Sequence, residues 1–201
     1  MKRLSFILGC VLLFAGIAQA ADKPVIRLGA RVFTEQTLLA EITAQYLRSK
    51  GYDAQITGGL GSNLARSAHE SGQLDMLWEY TGVSLVAYNH VTEKLDSAQS
   101  YARVKELDAK KGLIWLTPSK FSNTYALALP KKVAEQYPQI NNISQLNEVL
   151  QAEAKTNHLV ALDTEFANRS DGLLGMVKLY DMNLSRKNIR QMDAGLVYTA
   201  L

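Results

Sequence analysis

The stretch Trp78-Glu79-Tyr80-Thr81-Gly82 joins an apolar run at 74–78, predicted to be a strand, to a second apolar run with helical spacing. An aromatic ring and a hydroxyl are therefore presented at the carboxyl end of a strand. In open α/β sheets this is where ligands bind. Taken alone, the five residues fit equally well a capped turn with a tyrosine in the core, so the remainder of the chain has to decide.

Upstream of this stretch, strand and helix patterns alternate. The predicted order is a strand at 25–30, a helix at 35–50 that Thr34 could cap, a strand at 52–57, a helix at 62–70 and the strand at 74–78. The helix at 35–50 is predicted from Leu38, Leu39, Ile42 and Tyr46, which recur at helical spacing. The order β-α-β-α-β with short turns predicts a parallel sheet with right-handed crossovers.

A second α/β pattern follows downstream. The predicted elements are helices at 81–90 and 93–111, strands at 113–116 and 124–130, helices at 131–137 and 144–155, a strand at 158–162, a helix at 173–180, a strand at 189–192 and a helix at 194–201. Turn residues near 117–123 separate the two patterns, so we predict one unit at 21–118 and a second at 119–201.

The first twenty residues differ in kind from the rest. Lys2-Arg3 precede an apolar run at 4–17, and Ala18-Gln19-Ala20 forms a small-residue cleavage site. This pattern predicts a cleavable signal peptide at 1–20 and a periplasmic protein. Cys10 follows a faint lipoprotein-like sequence, but it lies too close to Arg3 for that alternative to be favoured. Cleavage after Ala20 leaves a mature chain without cysteine, hence without disulfides.

Charge and apolar runs exclude several classes of protein. The mature chain would carry 20 basic and 19 acidic residues, which is no electrostatic footprint for nucleic acid. Beyond the leader no run approaches about 18 apolar residues, so no membrane-spanning helix is expected.

Catalytic and metal-binding patterns are missing from the sequence. His69, His90 and His158 lie far apart without metal-ligand spacing. Gly82-Val83-Ser84-Leu85-Val86 fails the nucleophile-elbow pattern at its last position, and no P-loop is present. Gly59-Leu60-Gly61-Ser62-Asn63 could present amides to an anion, although a tight turn is the simpler interpretation. We therefore expect neither an enzyme nor a cofactor or metal.

Four polar and aromatic clusters fall at predicted strand ends or helix starts. They are Phe33-Thr34-Glu35-Gln36, Trp78-Glu79-Tyr80-Thr81, Ser122-Asn123-Thr124-Tyr125 and Phe166-Ala167-Asn168-Arg169-Ser170-Asp171. Two clusters belong to each unit, and two units can close on a small molecule between them. Amides and hydroxyls suit a carboxylate, and tyrosine faces suit a quaternary ammonium. The sequence therefore favours a protein that captures a small solute.

Four segments, in this order and spacing, resemble the substrate-binding proteins of ABC importers for glycine betaine, carnitine and choline, particularly the osmoprotectant-uptake branch. They are Arg31-Val32-Phe33-Thr34-Glu35-Gln36, Glu79-Tyr80-Thr81-Gly82, Asn123-Thr124-Tyr125-Ala126-Leu127 and Phe166-Ala167-Asn168-Arg169-Ser170-Asp171-Gly172. The likeness extends over residues 25–201. It implies a two-lobed Venus-flytrap fold and a quaternary-ammonium solute. It also implies delivery to a membrane permease driven by an ATPase subunit, and action as a monomer.

The resemblance also implies roles for individual residues. Gln36 would hydrogen-bond the solute carboxylate, while Tyr80 and Tyr125 would wall the ammonium cage. Thr81, Asn168 and Arg169 would also bind the ligand, or alternatively orient turns and bridge the lobes. Tyr198 falls in a further family-like segment, where packing is the favoured interpretation.

The chain departs from the family pattern in two ways. The family motif commonly reads E-Y-T-G-T, whereas here Val83 stands at the last position and supplies no hydroxyl for a carboxylate. Family chains also continue past the counterpart of Leu201 to complete the first lobe, so a C-terminally truncated chain is expected. Two alternatives stay open: the same fold binding another small solute, such as a polar amino acid, or a non-functional fragment.

Overall fold

A computed structural model describes residues 23–153 and 158–201. The predicted signal peptide and the last residues of the helix predicted at 144–155 lie outside this part of the chain. None of the helices in the described residues is long and apolar enough to cross a membrane.

The first α/β unit is built on a three-stranded sheet. Its elements are β1 (Val25–Arg31), α1 (Thr34–Ser49), β2 (Asp53–Leu60), α2 (Ser62–Glu70), β3 (Met76–Leu77), α3 (Thr81–Val83) with a following π-helical turn (Ser84–Tyr88), and α4 (Ser97–Ala109). The strand order is β2-β1-β3, and both pairings are parallel. The predicted parallel β-α-β-α-β arrangement is confirmed. Leu28 of the central strand pairs with Ile56 on one side and Met76 on the other.

Helix α1 packs on this sheet through its small residues. Ala44 is fully buried in a cluster with Leu28 and Ala54, because alanine lets the helix backbone approach the strands closely. The apolar residues that predicted the helix point elsewhere, since Leu38 and Ile42 are 58% and 56% exposed. The predicted cap is wrong: Thr34 is the first helical residue, Phe33 occupies the cap position, and no side chain caps the helix.

A buried ion pair ties α2 to α4. The Asp108 side chain is fully buried and accepts hydrogen bonds from Arg66 Nη1 and Nη2 at 2.9 and 2.7 Å. Ser84 Oγ, Asn89 Nδ2 and Trp115 Nε1 also donate to it, at 2.8, 2.9 and 2.7 Å. Such a pair is stable in the interior only when every lone pair is satisfied, as here. The network therefore anchors the π-helical turn that follows the Trp78–Gly82 stretch.

The second α/β unit carries a two-stranded sheet. Its elements are α5 (Lys131–Gln136), α6 (Ile143–Ala152), β4 (Val160–Asp163), α7 (Thr164–Asn168), α8 (Leu173–Tyr180), a 3₁₀ turn (Arg186–Asn188), β5 (Ile189–Met192) and α9 (Ala194–Ala200). Strands β4 and β5 are parallel. Leu162, Leu173 and Met176 are among the residues that form the core between this sheet and its helices.

Three strand predictions need correction. Only Met76–Leu77 of the run at 74–78 is paired as a strand, and the runs at 113–116 and 124–130 form no strand in the described structure. A strand requires a neighbour for its ladder hydrogen bonds. No described segment pairs with these two runs, which are largely exposed: Ile114, for example, exposes 82% of its surface.

The turn between α7 and α8 depends on close backbone packing. A side chain at Gly172 would collide with the backbone carbonyl of Phe166, and one at Gly175 would lie 2.8 Å from the carbonyl oxygen of Ser170. Both contacts are with backbone, which cannot swing aside as a flexible side chain can. Glycine is therefore required here by space, and it fixes the course of the chain that carries Arg169.

Candidate functional site

Tyr80 lies where β1, α1 and the chain after β3 converge. Its hydroxyl donates to Glu35 Oε1 at 2.5 Å and accepts from Gln36 Nε2 at 2.9 Å. Burial raises the pKa of the Tyr80 hydroxyl, and the hydrogen bond to Glu35 raises it further. The side chain is thus held as a neutral phenol in one orientation.

Gln36 lies beneath this tyrosine. Its side chain is 1% exposed, and the amide nitrogen donates to the Trp78 carbonyl oxygen at 3.1 Å as well as to Tyr80. A primary amide has two N–H groups, and both are used within the protein. In this structure Gln36 positions Tyr80, while its predicted bond to a solute carboxylate stays a prediction.

Arg31 is a site residue that the sequence reasoning missed. Its side chain is 2% exposed, forms an ion pair with Glu79, and places its guanidinium carbon 5.6 Å from the centre of the Tyr80 ring. Burial opposes the charge, but Glu79 outweighs it and raises the pKa of Arg31. Arg31 Nε is buried without a hydrogen-bond partner among the described residues. Its place at the end of β1, two residues before the Phe33–Gln36 cluster, was the available signal in the sequence.

The second tyrosine has a similar environment. Tyr125 is 47% exposed, and its hydroxyl donates to Glu165 Oε1 at 2.9 Å. Its ring centre lies 4.9 Å from that of Phe166 and 5.7 Å from the guanidinium carbon of Arg169. Burial and the neighbouring Glu165 carboxylate raise the pKa of Tyr125, so this phenol is neutral too.

Arg169 and Asn168 have different partners. Arg169 is 8% exposed, and its Nε and Nη2 each donate to the Asp171 carboxylate at 2.8 Å. Its Nη1 lies 3.5 Å from Glu165 Oε1. Asn168 is exposed, and its amide donates to the Thr164 carbonyl oxygen at 2.8 Å. The structure thus places Arg169 beside Tyr125, whereas the Asn168 amide is hydrogen-bonded to its own helix.

The surroundings of the two tyrosines match. Phe33 lies 6.2 Å from the Tyr80 ring centre, so each tyrosine has a phenylalanine, an arginine and a glutamate around it. Each set of three comes from one short segment of a different unit, namely 31–35 and 165–169. Negative ring faces attract cations, and guanidinium groups bind carboxylates. Each set therefore combines a surface for a cation with a donor for an anion.

Direct contacts join the two sets. Ser62 Oγ donates to Glu165 Oε2 at 2.7 Å, and Asn123 Nδ2 donates to Glu35 Oε1 at 3.3 Å. One broad cavity of about 2960 Å³, called the cleft below, has Arg31, Tyr80, Thr81, Tyr125, Asn168 and Arg169 among its many lining residues. Five of the six predicted ligand-binding residues thus border one cleft, and the sixth, Gln36, is buried behind Tyr80.

Three further positions bear on the predictions. Thr81 is half-buried at the first position of α3, and Val83 borders the cleft with only 6% of its surface exposed. Tyr198 exposes 80% of its surface and is among the residues that line the cleft, so the prediction that it packs rather than faces the site is wrong. The helix that carries it, α9, contacts β4 but has no buried residue of its own.

Curated relatives share this sequence over most of its length. A glycine-betaine-binding protein of Pseudomonas aeruginosa PAO1 is 55% identical over the entire chain, which spans 66% of that relative. Glycine betaine-binding protein YehZ of Escherichia coli K12 is 31% identical over 97% of the chain, which spans 65% of YehZ. An ergothioneine transport permease/ergothioneine binding protein, EgtU of Helicobacter pylori, is 27% identical over 88% of the chain and 31% of its own length.

A solved structure and a family model agree with these relatives. The structure of apo YehZ from Escherichia coli superposes with a TM-score of 0.50 at 31% identity, over 85% of this chain and 61% of YehZ. The family described as the substrate binding domain of ABC-type glycine betaine transport systems matches residues 24–201. The chain therefore belongs to this family of ABC-transporter substrate-binding domains.

Proposed function

We propose that this protein is the solute-binding component of an ABC importer, which captures a quaternary-ammonium solute such as glycine betaine between two lobes. The observation that carries the proposal is the pair of tyrosines. Tyr80 follows a strand of the first sheet, Tyr125 packs against Phe166 of α7, and both rings border the cleft and are held as neutral phenols. Such rings attract a desolvated quaternary ammonium with about 2 kcal/mol or more each.

A carboxylate on the solute would be met by the arginines. The Nε–H of Arg31, a residue that lines the cleft, is buried and has no hydrogen-bond partner in the described part of the chain; a buried donor without an acceptor costs about 1–3 kcal/mol. A carboxylate oxygen would satisfy that donor and gain a charge-assisted hydrogen bond. Arg169 offers a second guanidinium on the opposite unit, beside Tyr125. The cleft thus suits a zwitterion with separated charges.

The proposed location and partners follow from the family and the leader sequence. Residues 1–20 carry the features of a signal peptide, so we place the mature protein in the periplasm. There it would deliver its solute to a membrane permease coupled to an ATPase subunit. The relatives carry the names of binding and transport proteins, and we accordingly propose capture of the solute without chemical conversion.

A different solute is the second candidate. Val83 borders the cleft where a hydroxyl was expected, which removes one donor for a carboxylate. The Helicobacter relative bears the name of an ergothioneine binding protein. Ergothioneine carries a trimethylammonium and a carboxylate, so the same two tyrosines and arginines would suit it. A solute screen therefore includes it beside a polar amino acid.

The test is a fluorescence titration with glycine betaine, choline, carnitine and ergothioneine. Glycine, which has a carboxylate but no quaternary ammonium, is the control. Trp78 reports on the site because its carbonyl accepts from Gln36, which also holds Tyr80. We expect saturation by a quaternary amine and not by glycine. Tyr80→Ala should weaken binding at least tenfold, whereas Tyr46→Ala, an exposed tyrosine on α1, should leave it unchanged. A folded protein that responds to none of the quaternary amines would contradict the proposal.

A further inference from the structure

Each tyrosine of the cleft has a carboxylate behind its hydroxyl. The Tyr80 hydroxyl donates to Glu35 at 2.5 Å, and the Tyr125 hydroxyl donates to Glu165 at 2.9 Å. Glu165 borders the cleft, whereas Glu35 lies on α1, outside the lining, and is reached through the Tyr80 hydroxyl. At Tyr80 the phenol hydroxyl therefore lies between the carboxylate and the ring.

Glu35 has the simpler surroundings of the two carboxylates. Within the described part of the chain its hydrogen-bond partners are Tyr80 and Asn123, and none of the ion pairs found there includes it. Glu165, in contrast, lies 3.5 Å from Arg169 and also holds Ser62. Among the residues that the structure describes, the hydrogen-bond partners of the Glu35 carboxylate are therefore neutral donors.

A phenol that donates to a carboxylate has a more electron-rich ring. The charge-assisted hydrogen bond is short and strong, and it draws the phenolic proton toward the carboxylate. The negative face of the ring, which attracts cations, is strengthened as a result. A quaternary ammonium has no N–H to donate, so direct contact with a carboxylate would bring no hydrogen bond. A carboxylate placed behind the ring supplies attraction without exposing its oxygens to the solute.

We propose that Glu35 is a positioning residue that acts through the Tyr80 hydroxyl and makes the cleft select its solute by positive charge rather than by shape. This inference rests on the proposed function, since it assumes that Tyr80 faces the ammonium. It assigns to Glu35 a role in specificity that its position outside the cleft lining does not suggest.

Choline and its uncharged isostere 3,3-dimethylbutan-1-ol separate charge from shape. The whole chain and its Glu35→Gln variant would be titrated with both compounds by calorimetry. Glutamine keeps the size and the acceptor for Tyr80 but removes the charge. We expect the affinity for choline to fall about three- to fivefold while that for the isostere stays constant. Glu41→Gln, on the exposed side of the same helix, is the matched control and should change neither.

Tyr80→Phe decides whether Glu35 acts through the hydroxyl. In that background the hydrogen bond is already lost, so Glu35→Gln should change the preference for choline by much less than in the wild type. With Tyr80 present, Glu35→Asp, which keeps the charge, should retain most of the preference for choline over the isostere. An equal loss of choline and isostere, or an undiminished effect in the phenylalanine background, would overturn the inference.

Failure of the two proposals looks different. If the wild-type protein binds neither choline nor glycine betaine, the proposed function fails and the role of Glu35 falls with it. If the wild type binds choline and the ratio of choline to isostere is the same in Glu35→Gln, only the role of Glu35 is refuted. Circular dichroism of each variant confirms that the protein is folded before either conclusion is drawn.

Discussion

Ser62 and Glu165 stand 103 positions apart in the sequence, yet the serine hydroxyl donates to the glutamate carboxylate at 2.7 Å. Ser62 opens α2 in the first unit, and Glu165 lies in the first turn of α7 in the second. The same carboxylate accepts from Tyr125. One glutamate therefore connects the contact between the units to a ring that the solute is proposed to touch.

Ser62→Ala is expected to weaken solute binding. If the units close on the solute as proposed, removing this hydrogen bond to a charged group lowers the share of the closed form, and the apparent affinity should fall about tenfold. Titration with glycine betaine measures the change. Ser67→Ala, an exposed serine on the same helix, serves as the control. Equal affinities in the two variants would show that the contact does not contribute to closure.

Arg31→Lys tests the carboxylate end of the site. Lysine can keep the ion pair with Glu79 but has no Nε–H beside the cleft, so a carboxylate loses its partner there. We expect the affinity for glycine betaine to fall about tenfold and that for choline, which has no carboxylate, to change little. The ratio of the two dissociation constants is the readout. A parallel loss for both solutes would instead indicate a disturbed Tyr80, whose ring lies 5.6 Å from this guanidinium.

Asp108→Asn is expected to destabilise the first unit strongly. The substitution leaves the buried guanidinium of Arg66 without its counter-charge, and breaking such a pair costs about 3–5 kcal/mol. Urea unfolding followed by circular dichroism gives the free energy. Glu106→Gln is the comparison, because Glu106 forms ion pairs only on the exposed surface of the same helix. Similar unfolding midpoints for the two variants would exclude the network as a source of stability.

The same aspartate predicts how stability depends on pH. Burial opposes ionisation of Asp108, but hydrogen bonds from Arg66, Asn89, Trp115 and Ser84 outweigh it and hold its pKa well below the ordinary value. A depressed pKa stabilises the fold above the unfolded value of about 3.9, and this contribution is lost as the pH falls below it. As the pH decreases below about 4, the urea concentration at the unfolding midpoint of the wild type should therefore decrease. The decrease for Asp108→Asn should be smaller. A wild-type midpoint that is constant from pH 5 to 2.5 would contradict this assignment.

The order of elements could be predicted from the sequence because local patterns determine it. Apolar periodicity gave the parallel sheet of the first unit, and the glycine after α1 marked the end of that helix correctly. Periodicity failed to identify the buried side of α1. The buried residues of α1 include Ala40 and Ala44, whereas Leu38 and Ile42 are exposed. Helix spacing shows that a side is apolar, but the distance to the strands decides which side fits.

The tyrosines of the site were predictable, and their partners were not. Tyr80 and Tyr125 stand in recognisable segments at strand ends or turns. Glu35 and Glu165 approach them from 45 and 40 positions away, so no local pattern relates each glutamate to its tyrosine. Arg31 was missed for a similar reason: that its Nε lacks a partner among the described residues becomes visible only when the surrounding donors and acceptors are placed in space.

The tight turn at Gly172 limits how the solute preference of this protein could be changed in the laboratory. Because the Phe166 carbonyl fills the space of any side chain there, randomising the turn as a block would yield mostly misfolded variants. A library that fixes Gly172 and Gly175 and varies exposed positions such as Asn168 and Ser170 would keep the backbone that carries Arg169. Directed evolution of a biosensor from this scaffold should therefore retain these two glycines.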